Sequence, residues 1–451
     1  MKHLFTILSL SLCLSANAAK TKQPKQYQYR IHLCDKKGTS FSLDRPEQFL
    51  SEKSIQRRKR QGIRVDSTDL PVSQVYLSQL RQLGLRVMGT SRWHNTATVS
   101  SPTDDVAQRV SRLAFVTAVT RLYVSPDSLT VPTRKPVERQ MAPDSTARGK
   151  YGNGAGQINM LRGTRLHDAG FRGKGMTIAI LDAGYHNADR IPAFSNIRII
   201  ATKDFAPQRT NDIFAEHYHG TMVLSTMAMN RPDTMVGTAP DADYVLIRTE
   251  DVPTETRAEE DSWTMGVEYA DSIGADVINS SLGYHFWDGD TTAFRLRDLD
   301  GKATLISRTA SMLASKGMVL CSSAGNEGSS SWHKISVPAD ADDIITVGAV
   351  TPSGSSATFS SVGPSQDGRV KPDVCAMGSP ATVVDGQGRL TINSGTSFSS
   401  PIICGMVACL WQAHPELTAK QLISLVRRLG DRHDSPDNVY GYGIPDFGKG
   451  L

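Results

Sequence analysis

The 451-residue chain has no uninterrupted apolar stretch of about 18 residues or more, which excludes a polytopic membrane protein. Cysteine is scarce, with six in the whole chain, so a disulfide-rich miniprotein is excluded as well. Hydrophobic residues make up 39% and charged residues 21%, far from the composition of a disordered tail. The 37 glycines follow no three-residue period, which removes a collagen-like repeat. Metal-ligand clusters are also wanting. His217 and His219 stand beside Glu216, but no third histidine or cysteine follows at ligand spacing. What remains is a packed globular protein long enough for two units and a leader.

The leader is legible at the start. Lys2 supplies a positive charge, Leu4 to Leu14 a short apolar core, and Ala16-Asn17-Ala18 a small-residue cleavage site. This is the pattern of a secretory signal peptide over 1–18, with a buried N-terminal helix as the rival reading. Leu12 is too large for a lipoprotein cleavage box before Cys13. The product is expected to be secreted or periplasmic, with no stable membrane anchor. Five cysteines would remain, Cys34, Cys321, Cys375, Cys404 and Cys409, and an odd count leaves at least one unpaired.

Charge divides the chain. Residues 20–150 carry 24 Lys and Arg against 11 Asp and Glu, whereas residues 151–451 carry 25 against 34. A basic piece can meet nucleic acid or an anionic surface. The acidic remainder of the same chain is the simpler partner, since complementary potentials steer docking and fix register, and no nucleic acid is expected. Arg57-Arg58-Lys59-Arg60 is read as a solvated helix face. Between the two pieces, residues 126–157 are rich in Pro, Thr, Ser and Gly and are expected to be exposed and open to cleavage.

Periodicity gives each piece its class. Tyr27 to Leu33 alternates as a strand, Val75 to Leu83 has helical spacing, and Val99, Asp104 to Leu113 and Phe115 to Tyr123 suggest a strand, a helix and a strand. A small α+β domain over 19–125 is the expectation, followed by a linker over 126–150. In 151–451 short apolar runs recur at Thr177 to Leu181, Tyr244 to Ile247, Val277 to Ile278, Met318 to Cys321 and Ile344 to Val350. Helical patterns such as Trp263 to Ile273 and Thr304 to Ala314 lie between them. Strands buried on both faces and alternating with helices predict an α/β, three-layer domain around a mostly parallel sheet. In such sheets chemistry gathers beyond the carboxyl ends of the strands.

Four polar segments sit there. Asp182 ends the first run and reads alone as a ribose ligand, a cap or a catalytic acid. His219-Gly220-Thr221 opens an apolar helical stretch, where an imidazole can be held for proton transfer. Ser322-Ser323-Ala324-Gly325-Asn326 follows the run ending in Cys321. Its small residues admit a substrate to the backbone, and the Asn326 amide can donate to an oxyanion. Gly395-Thr396-Ser397 leads into Ile402 to Trp411, with Pro401 expected in the first helical turn and Ser397 at the positive end of a helix. Alone, Ser397 reads equally as a helix cap.

The order Asp182, His219, Ser397, with Asn326 between the last two, is the order of subtilisin rather than of chymotrypsin or the α/β-hydrolases. Together with Val236-Gly237-Thr238-Ala239-Pro240 and Ser281-Leu282-Gly283, it makes 151–451 resemble a subtilisin-like serine protease, a subtilase. Residues 27–125 resemble the family's inhibitory propeptide more loosely, most clearly at Trp93-His94-Asn95. The chain departs from the family at Ala183, where Thr or Ser is usual, and at Phe398-Ser399, where Met-Ala is usual.

The resemblance implies an exported serine endopeptidase made as a proenzyme. It assigns Ser397 as nucleophile, His219 as base and Asp182 as orienting carboxylate. Asn326 becomes the oxyanion donor, and Ser281, Leu282, Gly283, Ala324 and Gly325 the substrate-binding backbone. A catalytically silent subtilase-fold binding protein is the alternative. Partners would be protein or peptide substrates and the chain's own propeptide. No cofactor is required and no metal residue is assigned. Calcium often stabilises the family, but no Asp-rich loop has coordinating spacing here. Autocleavage is expected near Arg134-Lys135 or Arg148. The acidic residues Glu250, Asp251, Glu255, Glu259, Glu260 and Asp261 read either as a solvated surface or as a site preferring basic residues upstream of the cut. The few residues after Gly443 suggest no C-terminal sorting domain.

Overall fold

The computed structural model describes residues 20–22, 24–137, 149–206, 212–232, 234–288 and 294–451. The expected leader over 1–18 and the cleavage point at Arg148 lie outside the described residues.

Seven parallel strands make the central sheet, in the order Val374–Met377, Ile345–Val350, Val319–Ser323, Val277–Ser280, Thr177–Asp182, Asp243–Arg248 and Arg198–Asp204. The five runs predicted as strands are all present. Two further strands lie at the edges. Arg198–Asp204 alternates between exposed and half-buried positions, so its hydropathy never forms a continuous run. Val374–Met377 is only four residues long. The first strand in sequence lies inside the sheet, and successive strands are added first on one side of it and then on the other. That reversal opens a crevice beyond its carboxyl end, at Asp182.

Both sheet faces are covered. Ile178 and Ile180 face a core shared with the helices His219–Ala228 and Thr396–Ala413, while Ala179 and Leu181 face one shared with Ala258–Ile273 and Leu305–Met312. This is the two-residue period of a strand read out as a three-layer domain. Thr396–Ala413 is buried from Thr396 through Trp411, as expected for a helix apolar all round.

The N-terminal unit is a four-stranded antiparallel sheet ordered Arg86–Ser91, Thr96–Ser101, Tyr27–Leu33, Val116–Val124. Tyr29, Ile31 and Leu33 point into its own core with Leu77 and Leu80 of the helix Gln74–Gln82. Arg30 points the other way, onto the acidic helix Ala258–Ile273, where its guanidinium meets Asp261 at 2.5 Å and Glu260 at 3.5 Å. Trp93 enters the peptidase core beside Trp263 and Val267, and the Glu268 carboxylate accepts from the Arg92 and Trp93 N–H groups at 2.8 and 3.2 Å.

Arg57-Arg58-Lys59-Arg60 corrects an expectation. Arg57 and Arg58 on the helix Glu52–Arg60 are not solvated; they are 0% and 1% exposed and both bond to Asp271. An amphipathic surface reading failed because the carboxylate they share lies more than 200 residues away in sequence, although Arg58 also meets Asp69 at 3.0 Å. The split in charge between the two pieces is realised here as a buried, mutually compensated interface.

Candidate active site

Asp182 is wholly buried at the end of its strand. One carboxylate oxygen accepts the Ala183 N–H at 2.8 Å and lies 2.8 Å from His219 Nδ1. His219 is the first residue of its helix, so the ring is held by a rigid element. Burial opposes the imidazolium, but the Asp182 charge and hydrogen bond outweigh it, with a further contribution from Glu250. The ring therefore titrates above its ordinary 6.5. The Phe398 ring packs 5.8 Å from that of His219, so one departure from the family pattern lies directly against the imidazole.

Ser397 is the second residue of its helix, at the positive end as anticipated. Pro401 is not in the first turn but is the sixth helical residue. Lacking an N–H, it cannot bond the carbonyl of Ser397 four positions earlier. That carbonyl instead accepts the Ser281 hydroxyl at 2.8 Å. The Ser397 hydroxyl lies 3.4 Å from the Ser281 carbonyl in return, so the nucleophile's turn is tied to the segment after the central strand Val277–Ser280. In this state the hydroxyl is turned toward Ser281 rather than bonded to His219.

Asn326 is oriented by Thr396. Its Oδ1 accepts both the Thr396 N–H at 2.9 Å and the Thr396 hydroxyl at 3.0 Å, which leaves its amide NH2 as the free end. Thr396 in turn accepts the Gly325 N–H at 3.3 Å. Gly325 has φ +109°, and a side chain there would come within 2.9 Å of the Ser336 and Ser361 hydroxyls, so glycine is required.

A cleft of about 360 Å³ unites these groups. His219, Ser397, Asn326, Ser281, Leu282, Gly283 and Gly325 all line it. Ala324 does not; it is fully buried, and its backbone is engaged with Val347 and Ser336. Asp182 reaches the cleft only through His219. Sequence reasoning missed Tyr284, Phe286 and Ser336 as lining residues, and gave no role to Glu327 or to Thr396, the group that orients Asn326. Thr396 and Glu327 had a signal, since they adjoin Ser397 and Asn326; Tyr284, Phe286 and Ser336 stand in no motif.

The acidic segment is not a solvated surface. Asp251, Glu259, Glu260 and Asp261 are buried, and Glu250 and Glu255 border the cleft. Glu216, weighed earlier as a metal ligand with His217 and His219, faces Arg248 at 3.6 Å. On the far side of His217, Arg134 is clamped by Asp189 and Asp212 at 3.0 and 2.5 Å, and the Lys135 N–H donates to His186 at 3.0 Å. None of residues 24–137 lines the cleft. Among the described residues no helix is long and apolar enough to cross a membrane.

Comparison with known proteins gives two profile matches: one described as the subtilase family over residues 173–443, and one described as the peptidase S8 propeptide domain of Bacteroidota over residues 28–139. Subtilisin NAT of Bacillus subtilis subsp. natto is 31% identical over 297 residues, covering 65% of this chain and 68% of its own. The serine protease AprX of Bacillus subtilis is 28% identical over 309 residues, covering 60% and 65%. The crystal structure of MycP1 from Mycobacterium smegmatis matches with a TM-score of 0.53 at 22% identity, covering 71% of this chain and 88% of that one, a likeness of fold.

Proposed function

The chain belongs to the subtilase family of serine endopeptidases and carries a propeptide domain ahead of its peptidase unit, and from that premise we propose that Asp182, His219 and Ser397 form its catalytic triad with Asn326 as oxyanion donor. The 2.8 Å contact between Asp182 and His219 Nδ1, beside a cleft that His219 shares with Ser397 at a helix N-terminus, carries the reading.

His219 takes the proton of Ser397 as its oxygen attacks the peptide carbonyl, then gives it to the leaving amine; Asp182 holds the ring and stabilises the imidazolium. Rotation of the Ser397 side chain away from the Ser281 carbonyl brings the hydroxyl to His219. Hydrogen bonds of this kind commonly tighten only when substrate is present. The oxyanion is met by the Ser397 N–H and the Asn326 amide, whose free end is set by Thr396. The substrate lies extended against Ser281, Leu282 and Gly283, and main-chain pairing tolerates many sequences.

The chain is exported through the leader at 1–18, and the N-terminal unit is removed by cleavage within 126–150. No cofactor takes part. A fluorophosphonate probe tests the central reading: it should label the processed enzyme, and Ser397→Ala should abolish labelling. An unlabelled but folded wild-type enzyme would instead support the catalytically silent alternative.

A further inference from the structure

We propose that the cleft upstream of Ser397 receives a basic substrate side chain, an arginine or lysine, held between Glu250, Glu255 and Tyr284. The inference rests on the endopeptidase reading and adds a substrate class to it.

Three oxygens carry it. One carboxyl oxygen each of Glu250 and Glu255 and the Tyr284 hydroxyl are buried without a hydrogen-bond partner among the described residues. All three residues line the same cleft as His219 and Ser397. Tyr284 is 2% exposed, so its hydroxyl is a buried polar group left unsatisfied, which is uncommon unless a ligand completes it. Three sharing one cleft make a polar site without its partner.

Charge selects the partner. The phenol oxygen can accept a hydrogen bond, and two carboxylates are acceptors only, so the complement is a donor with several N–H groups and a positive charge. The two nearest buried arginines are committed elsewhere: Arg248 meets Asp204 at 3.1 Å and Asp251 at 3.2 Å, and Arg30 meets Glu260 and Asp261. Burial, then Glu255 and Asp182, push the Glu250 carboxyl up to about 8, and burial with Asp288 pushes Glu255 up to about 7. Burial and neighbouring carboxylates thus hold both groups above the usual carboxylate range, and an incoming guanidinium or ammonium would lower them again. Among the described residues no group of three or more His, Cys, Asp or Glu is arranged to hold a metal ion.

Location assigns the position in the substrate. Glu250 lies close enough to Asp182 and His219 to feel both charges, whereas Glu255 sits further along the same loop between Thr254 and Thr256. A peptide extended along Ser281 to Gly283 would run past these residues before reaching Ser397.

The test uses processed enzyme and matched fluorogenic peptides that carry arginine, lysine, glutamine or norleucine at each of the four positions upstream of the cut. Arginine or lysine at one position should raise kcat/KM by about 10–100-fold over norleucine, the range for a charged hydrogen bond. In Glu250→Gln and Glu255→Gln that ratio should fall toward unity. Should the variants fold poorly, wild-type enzyme should be inhibited more tightly by an arginine-containing peptide aldehyde than by its norleucine twin. A flat profile at all four positions, a preference for glutamine, or a basic preference that survives both substitutions would overturn the proposal. Fluorophosphonate labelling separates the two levels: a labelled enzyme with a flat profile loses only this pocket, and an unlabelled one loses the endopeptidase reading itself.

Discussion

Arg58 donates to both carboxylate oxygens of Asp271, at 2.8 and 2.9 Å, across 213 residues of sequence and between two folding units. Arg57 and Arg92 converge on the same carboxylate. With the cations removed, a fully buried Asp271 would be an uncompensated charge; with Asp271 removed, Arg57 and Arg92 would lose that carboxylate and Arg58 would keep only Asp69, at 3.0 Å. In the inactive Ser397→Ala proenzyme, Asp271→Ala should lower unfolding stability by about 3–5 kcal/mol, the cost of breaking a buried pair from one side. Urea titration measures it, and a loss below about 1 kcal/mol would mean that the contact is not formed in solution.

The same carboxylate gives the proenzyme an acid limit. Burial raises the pKa of Asp271, but Arg58, Arg57 and Arg92 hold it well below the usual carboxylate range. A depressed folded-state value stabilises above the unfolded pKa of about 4 and is lost as pH falls below it. Melting temperature of the Ser397→Ala proenzyme should therefore decline as pH falls below about 4, and less steeply in Asp271→Asn. Equal slopes would refute the assignment.

Asn326 is fixed through its oxygen, so its loss should affect the transition state more than the bound substrate. In subtilisin itself, loss of an oxyanion-hole asparagine costs about 10²–10³ in kcat, and Asn326→Ala should fall by a similar factor with KM nearly unchanged. Thr396→Val removes the hydroxyl that holds Asn326 and should lower kcat in the same direction by a smaller factor. A large rise in KM with kcat intact in either variant would place the residue in ground-state binding instead.

His219 must be neutral to accept the Ser397 proton. Burial lowers its pKa, but Asp182 and then Glu250 raise it above 6.5. The kcat/KM profile should climb with rising pH through a midpoint above that value. A midpoint at or below 6.5 would contradict the role given to Asp182 and Glu250 beside the imidazole.

The three-layer fold and most residues of the candidate cleft are legible in the sequence because each depends on local features: apolar runs that end in single polar residues, and small-residue turns around Asn326 and Ser397. Three things are not. The edge strand Arg198–Asp204 has a solvated face and therefore no apolar run. The burial of Arg57 and Arg58 depends on Asp271, their shared partner more than 200 residues away, with only Asp69, a second partner of Arg58, lying nearby in sequence. Pro401 resembled a helix start, but the helix begins five residues earlier because the Ser281 hydroxyl satisfies the carbonyl that proline leaves unpaired. In each case the deciding interaction was long-range, and local propensity yielded to it.

Arg134 places a limit on where the propeptide can be severed. Its guanidinium is shared between Asp189 and Asp212, the neighbouring Lys135 N–H rests on His186, and the Lys135 carbonyl accepts from Asn187 at 2.9 Å. Residues 121–124 and Pro126 instead line a hollow with Thr254, Thr256 and Trp287, beside the loop that carries Glu255. The chain thus changes sides between Pro126 and Arg134, and a cut after Arg134 or Lys135 would first require several peptidase contacts to break. Cleavage between 126 and 134 leaves those contacts intact and keeps Arg134 with the mature enzyme. N-terminal sequencing of the processed protein should find a start within 127–134, and Arg134→Ala should slow processing or scatter its position by loosening the anchor. A mature start beyond Lys135 in the wild type would show that the anchored segment is discarded with the propeptide.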